Sequence, residues 1–210
     1  MENKKNILRR LPSISGIGRR KLTRVIISKL VNKQEDIFNV LDVGSGINNW
    51  KQSFDGEWLG KYDTLELKED LLPTYQGDFF SMNFDSKYTF IIATEFIEHI
   101  PDPKLFFQKT RDSIKVDGRL IISFPFFFKI HGDPDDYFRY TLSGIKSLVE
   151  GLFEIETVYS HGGKYQVAWE VFTDGKLFYP LRIFNFLIAS TKPHKSAFPL
   201  GYVIALKPIS

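Results

Sequence analysis

Cysteine is absent from the 210-residue sequence. This absence excludes disulfides, cysteine-bound zinc, thiolate nucleophiles and iron–sulfur clusters ligated by cysteine, and it is compatible with a reducing compartment. Long apolar runs are also missing, since no stretch approaches the roughly 18 apolar residues that a membrane-spanning helix needs. The N-terminus is too polar for a secretory signal. The location we expect is therefore the cytoplasm.

The composition is that of a globular protein rather than a disordered or fibrous one, with 43% hydrophobic and 25% charged residues. A chain of this length buries roughly 70% of its unfolded surface when it folds, which is enough for one core. We expect a single domain over residues 1–210, with a basic arm and helix at 1–33 and an aromatic-rich insertion at 164–199.

Positive charge is concentrated at the N-terminal end of the chain. Residues 1–33 hold ten Lys and Arg against the single acid Glu2, whereas the whole chain has a net charge of only +3. One interpretation is a solvated tail and helix face, and the other is contact with phosphates or an anionic membrane surface. Nothing in the arm is suited to reading bases, so specific nucleic-acid binding is not predicted.

Strand and helix patterns alternate along the chain. Residues 1–15 are expected to form a flexible lead, and 115–118 a turn. The predicted strands are 38–43, 64–67, 75–77, 88–94, 119–124, 153–160 and 201–208, and the predicted helices are 19–33, 104–115 and 141–151. The strands at 38, 88 and 119 are apolar throughout, which indicates a parallel sheet covered on both faces. The predicted fold is α/β, a Rossmann-like three-layer sandwich with a mostly parallel seven-stranded sheet.

The first candidate site is VLDVGSG at 40–46, where a buried strand runs into a turn that contains Gly44 and Gly46. Glycine permits positive φ and lets a ligand approach the backbone, and ligands of open α/β sheets bind beyond the carboxyl ends of the strands. A tight strand–helix connection is the simpler alternative. The turn does not match the dinucleotide fingerprint, because Asn49 occupies the third glycine position.

The second candidate is an acid at the end of the second strand. Glu66 can accept hydrogen bonds from both ribose hydroxyls of a nucleoside, and its charge disfavours a 2′-phosphate. Asp63, Glu69 and Asp70 compete for this role, and the alternative for each acid is a solvated surface charge. A third candidate, Asp78 in GDFF, can place a carboxylate near an adenine amino group or can cap a helix.

The fourth candidate, ATEFIEHIPDP at 93–103, directly follows the fourth strand. Glu95 and His99 are four residues apart, so a helical turn would place them on one face, like a weak pair of metal ligands. Glu98 lies between them. Because no third ligand is near in the sequence and cysteine is absent, a metal site is not predicted. We expect His99 to hydrogen-bond locally or to line the pocket.

The fifth candidate is the loop at 124–141, FPFFFKIHGDPDDYFRYT. Its polar groups are His131, Asp133, Asp135, Asp136, Tyr137, Arg139 and Tyr140. Such a loop can form a lid that contacts an acceptor substrate and excludes water. The alternative is that the aromatic rings pack in the core while the charges pair on the surface.

Apolar residues recur near helical spacing in KLFYPLRIFNFLIASTKP, residues 176–193. Core packing or a homodimer interface would explain this pattern. Contact with a lipid surface, aided by the basic arm, is the alternative, and it would place the protein at the inner surface of a membrane.

These segments together resemble class I S-adenosylmethionine-dependent methyltransferases, of the small bacterial type-11-like kind, over about residues 38–160. VLDVGSG is similar to the first motif of that family, TLEL with Glu66 to its ribose-binding acid, GDF to its adenine-side acid, and FIIATEFIEHIPDP to its fourth-strand motif. GYVIALKP resembles its last strand. HGDPDDYFRYT resembles a subgroup linked to surface-polysaccharide or glycan pathways. Asn48 departs from the pattern, because the family has a third glycine there.

The resemblance implies S-adenosylmethionine as cofactor and a small-molecule or glycan acceptor that is methylated on oxygen or nitrogen. The cofactor-binding residues that it implies are Asp42, Gly44, Ser45, Gly46, Glu66, Asp78, Phe79 and Glu95. His99, Tyr137, Arg139 and Tyr140 are candidates for acceptor binding. His131 is the first candidate for a general base, because a neutral histidine is poised near physiological pH, with Asp133 and Asp136 as alternatives.

Two other functions stay open at this point. A nicotinamide-dependent oxidoreductase is disfavoured by the incomplete glycine pattern and by the lack of a Ser–Tyr–Lys set at recognisable spacing. A non-catalytic nucleoside-cofactor-binding protein of the same fold is disfavoured by the many polar groups of the 124–141 loop.

Overall fold

One central sheet organises the protein, whose computed structural model describes residues 12–47, 49–54, 56–84, 86–132, 135–175, 177–189 and 196–209. The strands of this sheet are β1 (Phe38–Val43), β2 (Leu59–Glu66), β3 (Tyr75–Gln76), β4 (Tyr88–Thr94), β5 (Ile114–Pro125), β6 (Phe153–His161) and β7 (Gly201–Pro208). Their spatial order is β3-β2-β1-β4-β5-β7-β6. The predicted seven-stranded sheet is confirmed.

Most neighbouring strands of the sheet are parallel. β1 pairs in parallel with both β2 and β4, and β4 pairs in parallel with β5. Only β7 runs antiparallel to its neighbours β5 and β6. The chain builds outward from β1 to β3 and then returns to β4 on the other side of β1. The carboxyl ends of β1 and β4 therefore diverge into a crevice, which is where open α/β sheets bind ligands.

Helices cover both faces of the sheet and give the predicted three layers. One face carries α1 (Ile14–Val31) and the short α2 (Lys51–Phe54), and the other carries α3 (Pro103–Ser113) and α4 (Leu142–Val149). Each face has its own apolar cluster, one including Leu22 of α1 and the other Phe106 of α3, both fully buried. Burial on both sides explains why β1 and β4 are apolar along almost their whole length.

Side-chain caps determine where the helices begin. The Ser13 hydroxyl accepts a hydrogen bond from the Gly16 N–H at 2.9 Å, and Asp102 Oδ1 accepts one from the Leu105 N–H at 2.9 Å. The Thr141 hydroxyl accepts one from Gly144 at 3.0 Å, as expected for the predicted cap of α4. Each bond satisfies a backbone donor that the first helical turn leaves free.

The largest differences from the predicted boundaries are at α1, β2 and β5. α1 begins at Ile14, within the segment predicted as a flexible lead, of which residues 1–11 lie outside the described part of the chain. β2 begins at Leu59 rather than at 64, because its exposed first half pairs with β1. The turn predicted at 115–118 is an irregularity within β5, where the pairing with β4 jumps from Ile114 to Arg119.

The insertion between β6 and β7 contains α5 (Lys164–Thr173), a 3-10 turn (Tyr179–Phe184) and α6 (Asn185–Ile188). It packs against the beginning of α1, where the Asn185 amide donates to the Pro12 carbonyl at 2.9 Å. In the described residues, no helix has both the length and the apolar character needed to cross a membrane.

Candidate functional site

The turn after β1 exposes its backbone to the crevice. Gly44 and Gly46 have φ angles of +64° and +56°, which glycine adopts readily. A Cβ on Gly44 would lie 2.8 Å from a ring carbon of Phe96, whereas a Cβ on Gly46 would meet no atom within 4 Å. Conformation and close packing therefore both require Gly44. Gly46 leaves open space in which a ligand can approach the main chain.

Glu66 lies directly beside this glycine turn. β2 ends at Glu66, and the Gly44 N–H donates to the carbonyl of the preceding Leu65 at 2.9 Å. The Gly46 N–H donates to Glu66 Oε1. The parallel pairing of β1 with β2 thus brings the predicted glycine turn and the predicted acid together.

The competing acids lie elsewhere. Asp63 is 2% exposed and accepts a hydrogen bond from the Tyr88 hydroxyl at 2.7 Å, so it belongs to the interior. Glu69 and Asp70 are exposed beyond the end of β2. Glu66 is therefore the acid of this group that the fold places at the glycine turn.

Asp42 lies beneath the crevice rather than on its surface. It is 1% exposed, and its Oδ2 accepts hydrogen bonds from the Tyr62 hydroxyl at 2.5 Å and from the Trp50 N–H at 3.1 Å. Burial raises the pKa of Asp42 to about 7, although these two hydrogen bonds act in the opposite direction. Asp42 thus anchors the segment after the glycine turn through Trp50, whose indole donates to Thr94 at 3.1 Å.

Glu95 lies on the other side of the crevice and has an unusual backbone conformation. Its φ of +54° is rare for a residue with a side chain, and such conformations cluster at functional sites. The Ser123 hydroxyl donates to Glu95 Oε1 at 2.8 Å, and the Arg19 guanidinium donates to Oε2. Arg19 also donates to the Ser15 hydroxyl. A cation from α1 and an acid from the end of β4 therefore meet at the crevice.

The crevice itself has a volume of about 210 Å³. Its walls come from α1, the glycine turn, the Trp50 segment and the ends of β4 and β5. The lining residues are Gly16, Arg19, Arg20, Thr23, Gly44, Ser45, Gly46, Ile47, Trp50, Thr94, Glu95 and Ser123. The crevice at the switch point of the sheet is thus an open pocket lined by positive and negative side chains, including Arg19 and Glu95.

Asp78 and Phe79 lie after β3, and their surroundings differ. Asp78 is exposed, and its Oδ1 accepts a hydrogen bond from the Phe80 N–H at 3.1 Å, so it caps a 3-10 turn. Phe79 is 1% exposed and packs in the core, with its ring centroid 5.3 Å from that of Phe106. Contact of either residue with an adenine stays a prediction. The buried ring of Phe79 anchors the segment after β3 in the core.

The 124–141 loop brings several predicted polar residues together. Asp136 Oδ2 accepts hydrogen bonds from the His131 N–H at 2.8 Å and from Arg139 at 2.6 Å. The Arg139 guanidinium holds the pKa of Asp136 far below its usual range, so Asp136 is an anchor rather than a base. Burial lowers the pKa of His131, which favours the neutral form of its ring. Asp133 lies outside the described residues.

The two predicted tyrosines of the loop have different surroundings. Tyr140 is 7% exposed, its hydroxyl donates to the Ile97 carbonyl at 3.0 Å, and its ring packs against Phe124. Tyr137 is 47% exposed, and its hydroxyl donates to Asp135 at 3.2 Å. Tyr137 is therefore accessible to an acceptor, whereas Tyr140 fastens the loop to the body.

Several residues of the crevice were not predicted from the sequence, among them Arg19, Trp50 and Ser123. A signal for Arg19 was present, because it shares a helical face with Leu22 and Ile26, which are buried. A charged residue in an apolar stripe needs a partner, and Glu95 is that partner. Nothing in the local pattern distinguishes Ser123 from other strand residues.

An open α/β sheet with a glycine turn and an acid at its switch point defines a class of nucleoside-binding enzymes. The comparison with protein families narrows this class, because the family model described as "Methyltransferase domain" matches residues 9–139, more than half of the chain. The chain belongs to this methyltransferase family. The predictions of an S-adenosylmethionine-dependent methyltransferase and of its cofactor are thereby confirmed.

Solved structures agree with this fold. An S-adenosylmethionine-dependent methyltransferase from Clostridium acetobutylicum ATCC 824 is 14% identical with a TM-score of 0.61, and the alignment covers 90% of this chain and 91% of that one. Coclaurine N-methyltransferase bound to N-methylheliamine and SAH is 11% identical with a TM-score of 0.56, covering 88% and 72%. The [4+2]-cyclase SpnF is 12% identical with a TM-score of 0.56, covering 88% and 82%. A search of the curated proteins found no match.

Proposed function

We propose that the protein transfers a methyl group from S-adenosylmethionine to an oxygen or nitrogen atom of a small-molecule or glycan acceptor. The main observation in support of cofactor binding is the hydrogen bond from the Gly46 N–H to Glu66, which joins an open glycine turn to a carboxylate. The open space above Gly46 leaves room for the cofactor. When bound, S-adenosylmethionine supplies a methyl group that its sulfonium activates for displacement.

Charge complementarity supports the placement of the amino-acid end of the cofactor. That end carries an ammonium and a carboxylate group, and the crevice offers the pair Glu95 and Arg19. We assign Arg19 to the carboxylate and Glu95 to the ammonium group. The backbone of Gly44, Ser45 and Gly46 lies between this pair and Glu66, which we assign to the ribose. Asp78 is assigned to the adenine.

We assign acceptor binding and proton abstraction to the imidazole of His131, which lies beside Asp136. His131 Nδ1 lies 3.2 Å from Asp136 Oδ2, and we assign Nε2 to the acceptor. His99 and Arg139 lie beside this ring, and Tyr137 of the same loop offers an exposed hydroxyl. Polar groups of this variety suit a hydroxylated acceptor, and the resemblance of this loop to methyltransferases of surface-polysaccharide pathways supports a glycan.

The cofactor assignment predicts a loss of binding in Glu66→Ala. We expect the affinity for S-adenosylhomocysteine to fall by about 1–3 kcal/mol, because a charged hydrogen-bond acceptor is lost and the Gly46 N–H is released. Isothermal titration calorimetry measures this change. Glu69→Ala, an exposed acid just beyond β2, is the matched control and should bind as the parent does.

Unchanged affinity in Glu66→Ala would remove Glu66 from the site. Titration with NAD belongs to the same experiment, and no binding is expected. Tight binding of NAD together with weak binding of S-adenosylhomocysteine would favour an oxidoreductase. Cofactor binding without turnover on any acceptor would favour a binding protein.

We further propose that the insertion contacts an anionic lipid surface, as a lipid-linked glycan acceptor would require. Several large apolar side chains of the insertion are exposed, among them Leu177 at 81%, Phe186 at 56% and Leu187 at 84%. The insertion packs on α1, whose Arg20 and Arg24 are exposed. Exposed apolar groups beside basic groups are typical of helices that lie at a membrane interface.

Sedimentation with lipid vesicles tests this contact. We expect binding to vesicles that contain anionic phosphatidylglycerol, weaker binding to phosphatidylcholine alone, and a roughly tenfold loss of binding in Leu187→Asp. Ile37→Asp changes an exposed apolar residue just before β1 and should bind normally. A dimer in solution that Leu187→Asp dissociates, without vesicle binding, would assign the surface to a second copy of the chain instead.

A further inference from the structure

Glu98 is a buried acid that the reaction assigned above does not use. It lies in a 3-10 turn after β4 and is 0% exposed. Among the described residues, neither of its carboxylate oxygens has a hydrogen-bond partner. A carboxylate is costly to bury without partners, so the charged form of Glu98 requires a compensating cation.

The nearby cations do not supply this compensation. The charges of Arg19 and Arg139 reach Glu98, but each guanidinium is already paired with another carboxylate. Arg19 pairs with Glu95, and Arg139 pairs with Asp136. Glu98 therefore has no guanidinium of its own within hydrogen-bonding distance among the described residues.

His99 presents a ring nitrogen to Glu98. Its Nδ1–H donates to the Asp135 carbonyl, which leaves the lone pair on Nε2. His99 Nε2 lies 3.8 Å from Glu98 Oε1. Histidines that bind metals are held in this way, with the second ring nitrogen donating to a carbonyl or carboxylate.

His131 is held from the opposite side by Asp136 and Arg139. Its Nδ1 lies 3.2 Å from Asp136 Oδ2 and 3.5 Å from an Arg139 guanidinium nitrogen. The His131 ring lies 5.0 Å from the His99 ring, at 81° to it. Both imidazoles therefore have an outer partner on Nδ1.

We propose that Glu98, His99 and His131 bind a divalent transition-metal cation. One ligand atom from each residue lies within 4.8 Å of the others, so small side-chain shifts bring all three onto one ion. Two imidazoles and a carboxylate suit Zn²⁺, Mn²⁺ or Fe²⁺, whereas Mg²⁺ and Ca²⁺ prefer oxygen ligands. The sequence alone indicated no metal, because the third ligand comes from a different loop.

The position of the site indicates what the cation does. Glu98 forms its buried base, whereas the His99 and His131 side chains are 15% and 33% exposed, so the open coordination positions face the solvent. An acceptor oxygen that occupies such a position is oriented and loses its proton more easily. The acceptor class is then a hydroxyl compound, with His131 serving as a ligand rather than as a free base. This last step rests on the proposed function, whereas metal binding does not.

Calorimetric titration of the full chain with metal salts, after removal of bound metals by EDTA, tests the proposal. We expect about one equivalent of Zn²⁺ or Mn²⁺ to bind, with Mg²⁺ at least about 100-fold weaker. Glu98→Gln and His131→Gln should each weaken Zn²⁺ binding by about 100-fold or more. Glu150→Gln, an exposed acid that follows α4, is the control and should bind Zn²⁺ normally.

His131→Gln changes a partly exposed residue, so it keeps the test valid if Glu98→Gln does not fold. Anomalous diffraction at the zinc edge should place the ion between Glu98, His99 and His131. Absence of Zn²⁺ and Mn²⁺ binding, or binding that His131→Gln does not weaken, would overturn the proposal. The affinity for S-adenosylhomocysteine, measured on the same samples, shows separately whether the proposed function holds.

Discussion

His131→Ala is expected to lower the rate of methyl transfer by roughly two to four orders of magnitude while the affinity for S-adenosylhomocysteine stays within about twofold. The ring lies on the proposed acceptor side, with Nδ1 3.2 Å from Asp136 Oδ2, and neither Arg19 nor Glu95 contacts it in any of the described hydrogen bonds. The loss follows whether Nε2 takes the acceptor proton itself or holds the proposed cation, since both roles need the imidazole.

The rate is measured as release of S-adenosylhomocysteine with an acceptor found in a panel of sugars and other hydroxyl compounds. Ile130→Ala is the matched control, because Ile130 precedes His131 in the same loop and is 86% exposed. It should retain activity. Full activity of His131→Ala would end the assignment of this residue to the acceptor, and an equal loss of cofactor affinity would move it to the cofactor side.

Glu170→Ala is expected to lower the free energy of unfolding by about 3 kcal/mol, at the low end of the range for breaking a buried ion pair. Glu170 is 6% exposed, accepts a hydrogen bond from the Ile14 N–H at 2.7 Å and pairs with Arg182 at 3.1 Å. Arg182 keeps a second partner in Asp174, which limits the loss. The first turn of α1 loses its acceptor at the same time.

Urea unfolding of the full chain measures this change. Glu154→Ala removes an exposed acid of β6 and should change stability by less than about 0.5 kcal/mol. Because Arg19 projects from α1 into the crevice, Glu170→Ala should also weaken S-adenosylhomocysteine binding. A loss of stability below 1 kcal/mol would mean that the insertion does not hold α1 in place.

Fold similarity alone leaves the chemistry open. The structures that share this fold include a methyltransferase and a [4+2]-cyclase at nearly the same TM-score. The family match over residues 9–139 establishes the methyltransferase. The acceptor depends on local chemistry, for which the polar groups beyond β4 and β5 are the candidates.

The sequence alone was enough to predict the sheet and the edge of the sheet at which the candidate site lies. β1, β4 and β7 were predicted with their observed bounds, because apolar strands buried on both faces leave a strong local pattern. Gly44 and Glu66 were predicted together because the carboxyl ends of adjacent parallel strands meet at one edge. These features depend on residues near one another in the chain or on a general rule of topology.

Tertiary structure decided which side chains meet. Arg19 reaches Glu95 only because α1 crosses the crevice. This ion pair explains why a charged residue lies on the apolar face of α1. His131 joins Glu98 and His99 because the loop after β5 folds back over the end of β4. Local periodicity records whether a residue is buried, but not which distant residue it faces, so these contacts could not be predicted from the sequence.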